Sequence, residues 1–249
     1  DSIRYAKRIQ EAILPPDSLI NRLLPNSFVL YRPKDIVSGD FYWVDKKANK
    51  TMFAAIDCTG HGVPGAFMSI VGYNLLKQVI DSNTVTTPAL ILDRLNEGVS
   101  ETLHHGHDVA QAKDGMDVAF CTIDFSTLQL EYAGAYNPLY IVRDGKLMET
   151  KGDKFPIGLF LGKEKKKFVN HTFQLKRGDC VYIFSDGYAD QFGGQKGKKF
   201  MISHFRNLLL QISDETIDQQ KYILAKTLQD WCGHLDQVDD ILVLGVKIE

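Results

Sequence analysis

Four short acidic motifs recur along this 249-residue chain, each where a strand-like run meets a turn: Ser38-Gly39-Asp40, Ile56-Asp57-Cys58-Thr59-Gly60-His61-Gly62, Phe184-Ser185-Asp186-Gly187 and Val238-Asp239-Asp240-Ile241. In three of them the strand is plain: Met52 to Ile56, Val181 to Phe184 and Ile241 to Leu244. A carboxylate at a strand end beside glycine suits a hard divalent cation. Oxygen ligands favour Mg²⁺ or Mn²⁺, and glycine lets the backbone come close. A single Asp-Gly pair is usually only a turn, and Asp114-Gly115 and Asp144-Gly145 read as turns here. Four such motifs in apolar strands spread over the whole chain point to one shared metal site, so the fold has to bring distant strand ends together.

The bulk numbers exclude several alternatives. A formal net charge of -2 gives no footing for nucleic-acid binding. The four cysteines, Cys58, Cys121, Cys180 and Cys232, are widely spaced with no C-x-x-C pair, which fits neither a zinc framework nor a disulfide scaffold. A reducing, cytoplasmic setting is expected. No apolar run approaches the ~20 residues of a membrane helix, and no signal-peptide pattern is present. The chain begins at Asp1 rather than Met, which leaves room for a sensor or membrane segment upstream.

Periodicity predicts a helix over residues 2–14, with Ile3, Ala6, Ile9 and Ile13 on one stripe and Pro15-Pro16 ending it. The stripe approximates heptad spacing, so this segment (residues 1–16) is read as a connector helix able to pair two chains, ahead of a domain over 17–249. Strands follow at Phe28–Tyr31 and Asp40–Val44 and up to Asp57, then helices from Val63 to Ile80 and from Pro88 to Leu103. A meander of six strands runs from Asp117 to Phe184, with a hairpin turn at Asp144-Gly145. Residues 187–199, rich in glycine and lysine, read as a flexible loop. Helices near 200–212 and 216–231 precede a last strand over 240–248. Two adjacent helices after three strands do not suit a βαβ repeat, so the pattern favours a largely antiparallel α+β layered domain.

Taken together, G-D-F-Y-W, D-x-x-G-H-G-x-x-G-A-x-M-S, S-D-G-x-x-D and D-D-I resemble the metal-dependent serine/threonine protein phosphatases (PPM), specifically the bacterial SpoIIE-like branch. The resemblance covers roughly residues 27 to 248. It implies a four-layer α-β-β-α sandwich with two divalent cations at one end, holding a bridging water that attacks a phosphoserine or phosphothreonine. It implies Asp57 as the carboxylate bridging both metals and Asp40 as a ligand of one, directly or through water. The Cys58 carbonyl is implied as a main-chain ligand, Asp186 and Asp239 as ligands of the other metal, and Asp117 as a holder of an additional, weaker metal. Asp240 follows a ligand and is read as the lesser of its pair. The substrate implied is a phosphorylated regulatory protein, often an anti-sigma-factor antagonist.

Other residues carry weaker signals. His61, just before a helix, could protonate a leaving hydroxyl or be a polar turn residue at the mouth. Gly60 and its neighbours could present backbone amides to an anion. Arg32 and Lys34 could contact phosphate, although basic residues there are more often solvated. His104, His105 and His107 read as a solvated helix end rather than a metal tract. Two rival functions stay open: a two-metal phosphodiesterase or nucleotide hydrolase, whose sites usually add histidine ligands, and a catalytically silent binding module.

Overall fold

The computed structural model describes residues 2–82, 85–103, 114–158 and 166–249. Its elements are α1 (Ser2–Ile13), α2 (Asp17–Leu23), β1 (Ser27–Arg32), β2 (Phe41–Lys47), β3 (Lys50–Cys58), α3 (Gly62–Asp81), α4 (Pro88–Leu103), β4 (Met116–Asp124), β5 (Gln129–Ala135), β6 (Leu139–Arg143), β7 (Lys146–Thr150), β8 (His171–Gln174), β9 (Cys180–Phe184), α5 (Gly187–Asp190), β10 (Phe192–Gly193), β11 (Lys198–Lys199), α6 (Ile202–Ile212), α7 (Ile217–Cys232) and β12 (Ile241–Lys247).

The central strands are apolar on both faces, and alternation divides each strand's side chains between the core on one side and the core on the other. Along β3, Met52, Ala54 and Ile56 pack with Leu76, Ile80, Leu92 and Leu95 of α3 and α4. The intervening Phe53 and Ala55 meet Ile183, Leu242 and Leu244 of the opposite sheet. Along β12, Ile241 and Val243 face Phe205, Leu209, Leu224 and Leu228 of α6 and α7. A one-residue slip in either strand would exchange the two sets, and each fully buried side chain is worth roughly 1.5–3 kcal/mol, so register is strongly specified. The result is two five-stranded antiparallel sheets, β1-β12-β9-β6-β7 and β2-β3-β4-β5-β8, packed face to face with a helix pair outside each.

Local chemistry agrees with this architecture at the turns and caps. Asp144 and Gly145 both adopt positive φ, 50° and 69°, as a two-residue turn joining β6 and β7 requires. Thr216 and Gln219 form a reciprocal capping box at the start of α7.

Two segments differ from the sequence expectation. Residues 187–199 are ordered into α5 and a short hairpin, with Phe192 opposite Lys199 and Gly193 opposite Lys198. The hairpin is held by α7: the Gly194 N–H donates to the Trp231 carbonyl at 2.8 Å, and the Trp231 indole donates to the Gln191 carbonyl at 3.0 Å. Gly193 and Gly194 serve close approach to Trp231, a contact invisible in the local sequence. Pro16, expected only to stop α1, also opens α2 as its N-cap. The histidine tract at 104, 105 and 107 lies outside the described residues. Among the described residues no helix is long and apolar enough to cross a membrane.

Candidate active site

Strand register, not sequence proximity, assembles the site. Asp57 at the end of β3 lies opposite Asp117 at the start of β4. Phe41 pairs with Ile56, which sets Asp40 beside Asp57. In the other sheet the end of β9 and the end of β1 flank the start of β12, with Phe184 opposite Val243 and Arg32 opposite Ile241. Asp186 and Asp239 therefore arrive at the same end of the sandwich. Together they line a cleft of about 180 Å³ with Asp57, Cys58, Thr59, Gly60, His61 and Asp117.

The cleft holds uncompensated negative charge. Like charges directly opposite on paired strands destabilise a sheet, and Asp57 and Asp117 are such a pair. Burial pushes the Asp57 carboxyl up to about 8, and Asp186, Asp239 and Asp117 add to the effect. Asp117 rises to about 6 through burial and then Asp186; Asp186 rises to about 6 through burial and then Asp239. Asp239 is raised by burial, while His61 and Lys34 pull it the other way. Asp40, at 2% exposure, stands behind the cleft rather than in it. Its carboxyl accepts a hydrogen bond from the Ser185 hydroxyl at 2.5 Å, and burial followed by Asp57 holds it well above the usual carboxylate range. That placement fits contact through an intermediary better than direct ligation.

The backbone around these groups is closely stacked. A Cβ on Gly39 or on Gly65 would run into the Gly60 carbonyl oxygen, and a Cβ on Gly39 would also come within 3.1 Å of the Cys58 carbonyl. Only glycine allows this approach. The Cys58 thiol is itself buried, and burial drives it far from ionisation. Its main-chain oxygen is thus the group suited to a hard cation. Thr59 pins the adjoining turn by bonds from its N–H and to its hydroxyl with Gly115, at 2.9 and 3.0 Å.

Asp240 has a role that the sequence reading ranked low. Its buried carboxylate accepts the backbone N–H of Lys34 at 2.8 Å and of Gly39 at 2.7 Å. It ties the loop before Asp40 to the start of β12. The only sequence signal for this was the doubled acid Asp239-Asp240.

At the mouth, Lys34 Nζ lies 2.9 Å from His61 Nε2, and His61 Nδ1 lies 3.1 Å from Asp35 Oδ2. An ammonium has donors only, so Nε2 accepts and Nδ1 carries the proton that binds Asp35. Arg32 closes β1 exposed to solvent and is not among the residues lining the cleft; its charge bears on Tyr188 and Cys232 instead.

Whether the donor set fits metal is tested by its chemistry. Apart from His61 at the mouth, the side chains and main-chain carbonyl converging here are oxygen donors, and the carboxylates repel one another without cations. Among the described residues no three acidic, histidine or cysteine side chains close tightly enough to cage one ion. Mg²⁺ commonly retains several waters and takes only one or two carboxylates, so an open, carboxylate-lined cleft suits it.

The family model for stage II sporulation protein E (SpoIIE) matches residues 47–249. The chain belongs to the SpoIIE family. The SiaA-PP2C domain of Pseudomonas aeruginosa is 31% identical over 100% of this chain and 96% of its own, with a TM-score of 0.89. The PP2C phosphatase domain of Bacillus subtilis SpoIIE, solved with a fragment of its regulatory domain, is 20% identical, covers 90% of this chain and 63% of its own, and superposes at 0.71. RsbX in complex with magnesium, 15% identical over 90% of this chain and 94% of its own, shares the fold at 0.63. No curated protein sequence matches. This SpoIIE-family domain is a protein serine/threonine phosphatase of the metal-dependent PP2C type.

Proposed function

We propose that the domain hydrolyses phosphoserine or phosphothreonine on a regulatory protein of a bacterial signalling pathway, in the cytoplasm, with two divalent cations, Mn²⁺ or Mg²⁺, in the acidic cleft. The observation that carries this is the convergence of Asp57, Asp117, Asp186 and Asp239 on one cleft. Asp57, Asp186, Asp239 and the Cys58 carbonyl would hold the two cations, with Asp40 acting from behind Asp57 and Asp117 serving an additional, weaker ion. Bound cations would supply an activated water and neutralise charge on the phosphoryl group.

The chain's own residues account for the rest. Asp57 has to lose its proton before a cation can take its place, so the raised carboxyl couples metal loading to pH. Lys34 stands at the mouth within the field of Asp239 and is placed to meet the phosphate dianion. His61, bonded to Lys34 and Asp35, orients that ammonium rather than donating a proton. The Gly60 backbone lines the cleft beside them. The substrate, an anti-sigma-factor antagonist or a similar small phosphoprotein, would approach from this side. A sensor domain upstream of α1 is consistent with the regulatory fragment solved with SpoIIE, and residues 2–14 are a route by which two chains could pair.

The test is turnover of a phosphoserine protein with Mn²⁺ or Mg²⁺, alone and after exhaustive chelation, with Asp57→Asn as the control. Full activity without metal would refute the reading. Preference for a phosphodiester or nucleotide would favour the rival enzyme class.

A further inference from the structure

The strand order of the two sheets lays the cleft out from one flank to the other. In one sheet Asp40 precedes β2, Asp57 lies at the end of β3, Asp117 lies at the start of β4, and β5 is next in line. In the other, β1, β12, β9 and β6 follow in the same sense, because a turn of three residues (136–138) joins β5 directly to β6. Lys34, just past β1, stands at one flank. The turn from β5 to β6 stands at the other.

Tyr136 makes that turn. Ala135 pairs with Val118, so the next step along β5 lies level with Asp117, and there the chain leaves the strand. Tyr140 pairs with Tyr182, which brings Pro138 level with Phe184, just before Ser185-Asp186. The turn therefore spans the gap between the acids of the two sheets. Tyr136 is 50% exposed, and its φ is 57°, a region that suits glycine or asparagine and strains a bulky side chain. The backbone is locked by its neighbours. The Tyr136 N–H donates to the Asp153 carbonyl at 2.9 Å, the Asn137 N–H to the Ala135 carbonyl at 2.6 Å, and the Tyr132 hydroxyl to the Asn137 carbonyl at 2.5 Å. A Cβ on Gly134 would strike both that hydroxyl and that carbonyl. The shape of the turn thus needs no ring at position 136. Leu128, also left-handed, offsets its strain by packing on the core between the sheets; the ring of Tyr136 lies outside the apolar cores. Strain held at the edge of a site, on a side chain that packs in no core, points to contact with a ligand. An exposed tyrosine offers a rigid surface that loses little conformational freedom on binding.

We propose that Tyr136 is a specificity-determining residue: its ring is a platform for an apolar side chain next to the phosphoserine of the substrate protein, on the flank of the cleft away from Lys34. Lys34 meets the phosphate from one side, and Tyr136 meets the polypeptide on the other. A small phosphate ester enters the cleft without touching the ring, whereas a phosphoprotein has to lie across it. This rests on the proposed phosphoprotein activity.

The experiment compares Tyr136→Gly, Tyr136→Asn and Tyr136→Phe with the parent 249-residue chain. Glycine and asparagine both accept a left-handed backbone, so they remove the ring and leave the turn in place. Values of kcat and KM are measured with Mn²⁺ on a phosphoserine protein and on an aryl phosphate, with melting in parallel. Tyr136→Gly and Tyr136→Asn should each raise KM for the phosphoprotein roughly 10-fold, the scale of one aromatic interface contact. Both should leave kcat/KM on the aryl phosphate within about twofold, and their Tm should match or exceed that of the parent. Tyr136→Phe keeps the ring and should follow the parent on both substrates. A phosphoprotein KM within twofold of the parent in the glycine and asparagine variants would overturn the inference alone. Equal losses on the two substrates, or a lowered Tm in both variants, would assign Tyr136 to the geometry of the fold and overturn it too. A phenylalanine variant as impaired as the glycine variant would rule out the ring as the platform. A parent that turns over only nucleotides or phosphodiesters would overturn the proposed function and this inference with it.

Discussion

The two ends of β9 carry acids in opposite circumstances. Asp179, just before the strand, is 1% exposed and fully partnered: Arg143 donates to it at 2.8 and 2.5 Å, and the Lys176 N–H at 2.8 Å. Asp186, just past the other end, faces Asp57, Asp117 and Asp239 across a cleft with more acid than base. Both are acids at the edge of one apolar strand. The first is a structural anchor, its charge matched by a guanidinium. The second belongs to a site that is electrostatically incomplete on its own, which is how a cation-binding centre differs from an ion pair.

The largest effect expected from this contrast is on catalysis. Asp57→Asn or Asp239→Asn should lower kcat by on the order of 10²-fold or more, because losing a cation removes several kcal/mol of transition-state stabilisation. Melting of the metal-free protein should stay level or rise slightly, since a repelling charge is removed. Near-normal turnover in either variant would show the cleft to be another structural cluster. At the opposite end, Asp179→Ala should do the reverse. Leaving Arg143 unpaired should cost on the order of 3 kcal/mol of stability, seen as a clear drop in Tm, with kcat preserved below the melting range.

A smaller effect concerns pH. Asp57 near 8 and Asp117 and Asp186 near 6 lie above the ~3.9 of an unfolded aspartate. The folded, metal-free protein therefore binds more protons than the unfolded chain between about pH 4 and about pH 8, and its stability should fall as pH rises through that window. Saturating Mn²⁺ replaces those protons and should flatten or invert the slope. Thermal melts in chelator and in Mn²⁺ across this range check the sign. A metal-free Tm that climbs with pH would mean that the cleft carboxylates are compensated as Asp179 is.

The smallest effect is at the mouth. Lys34→Ala should raise KM for a phosphoprotein roughly 3- to 10-fold, the loss of one charge-assisted contact worth about 1 kcal/mol, with kcat little changed. Steady-state kinetics with and without added salt would detect it. An unchanged KM would place the phosphate elsewhere.

The parts that were legible in the sequence are those whose signal is local. The apolar runs of β3 and β12, the helix from Pro88 to Leu103 and the Asp144-Gly145 turn act over a few residues, and the structure has them where the pattern put them. The acidic motifs were legible because four of them lay at strand ends, although only register shows that Asp57 faces Asp117. The hairpin β10–β11 was read as a loop because Trp231, which orders it, lies far along the chain. Asp240 was ranked below Asp239 because adjacent acids look alike in sequence; one faces the cleft and the other binds two backbone amides of a distant loop.

By itself the sequence determined which residues could be strand, helix or turn, and that its acidic motifs offer oxygen donors suited to a hard cation with no cysteine-histidine cluster beside them. Those follow from steric preference, side-chain period and donor chemistry, which each residue carries with it. Tertiary structure alone decided which acids share a cleft, which are matched by a base, and that Gln10 reaches the loop before Asp40. The physical reason is that charge matching and hydrogen-bond satisfaction depend on distances of a few ångströms between residues tens to hundreds of positions apart. Those distances exist only once the two sheets have closed on their shared core.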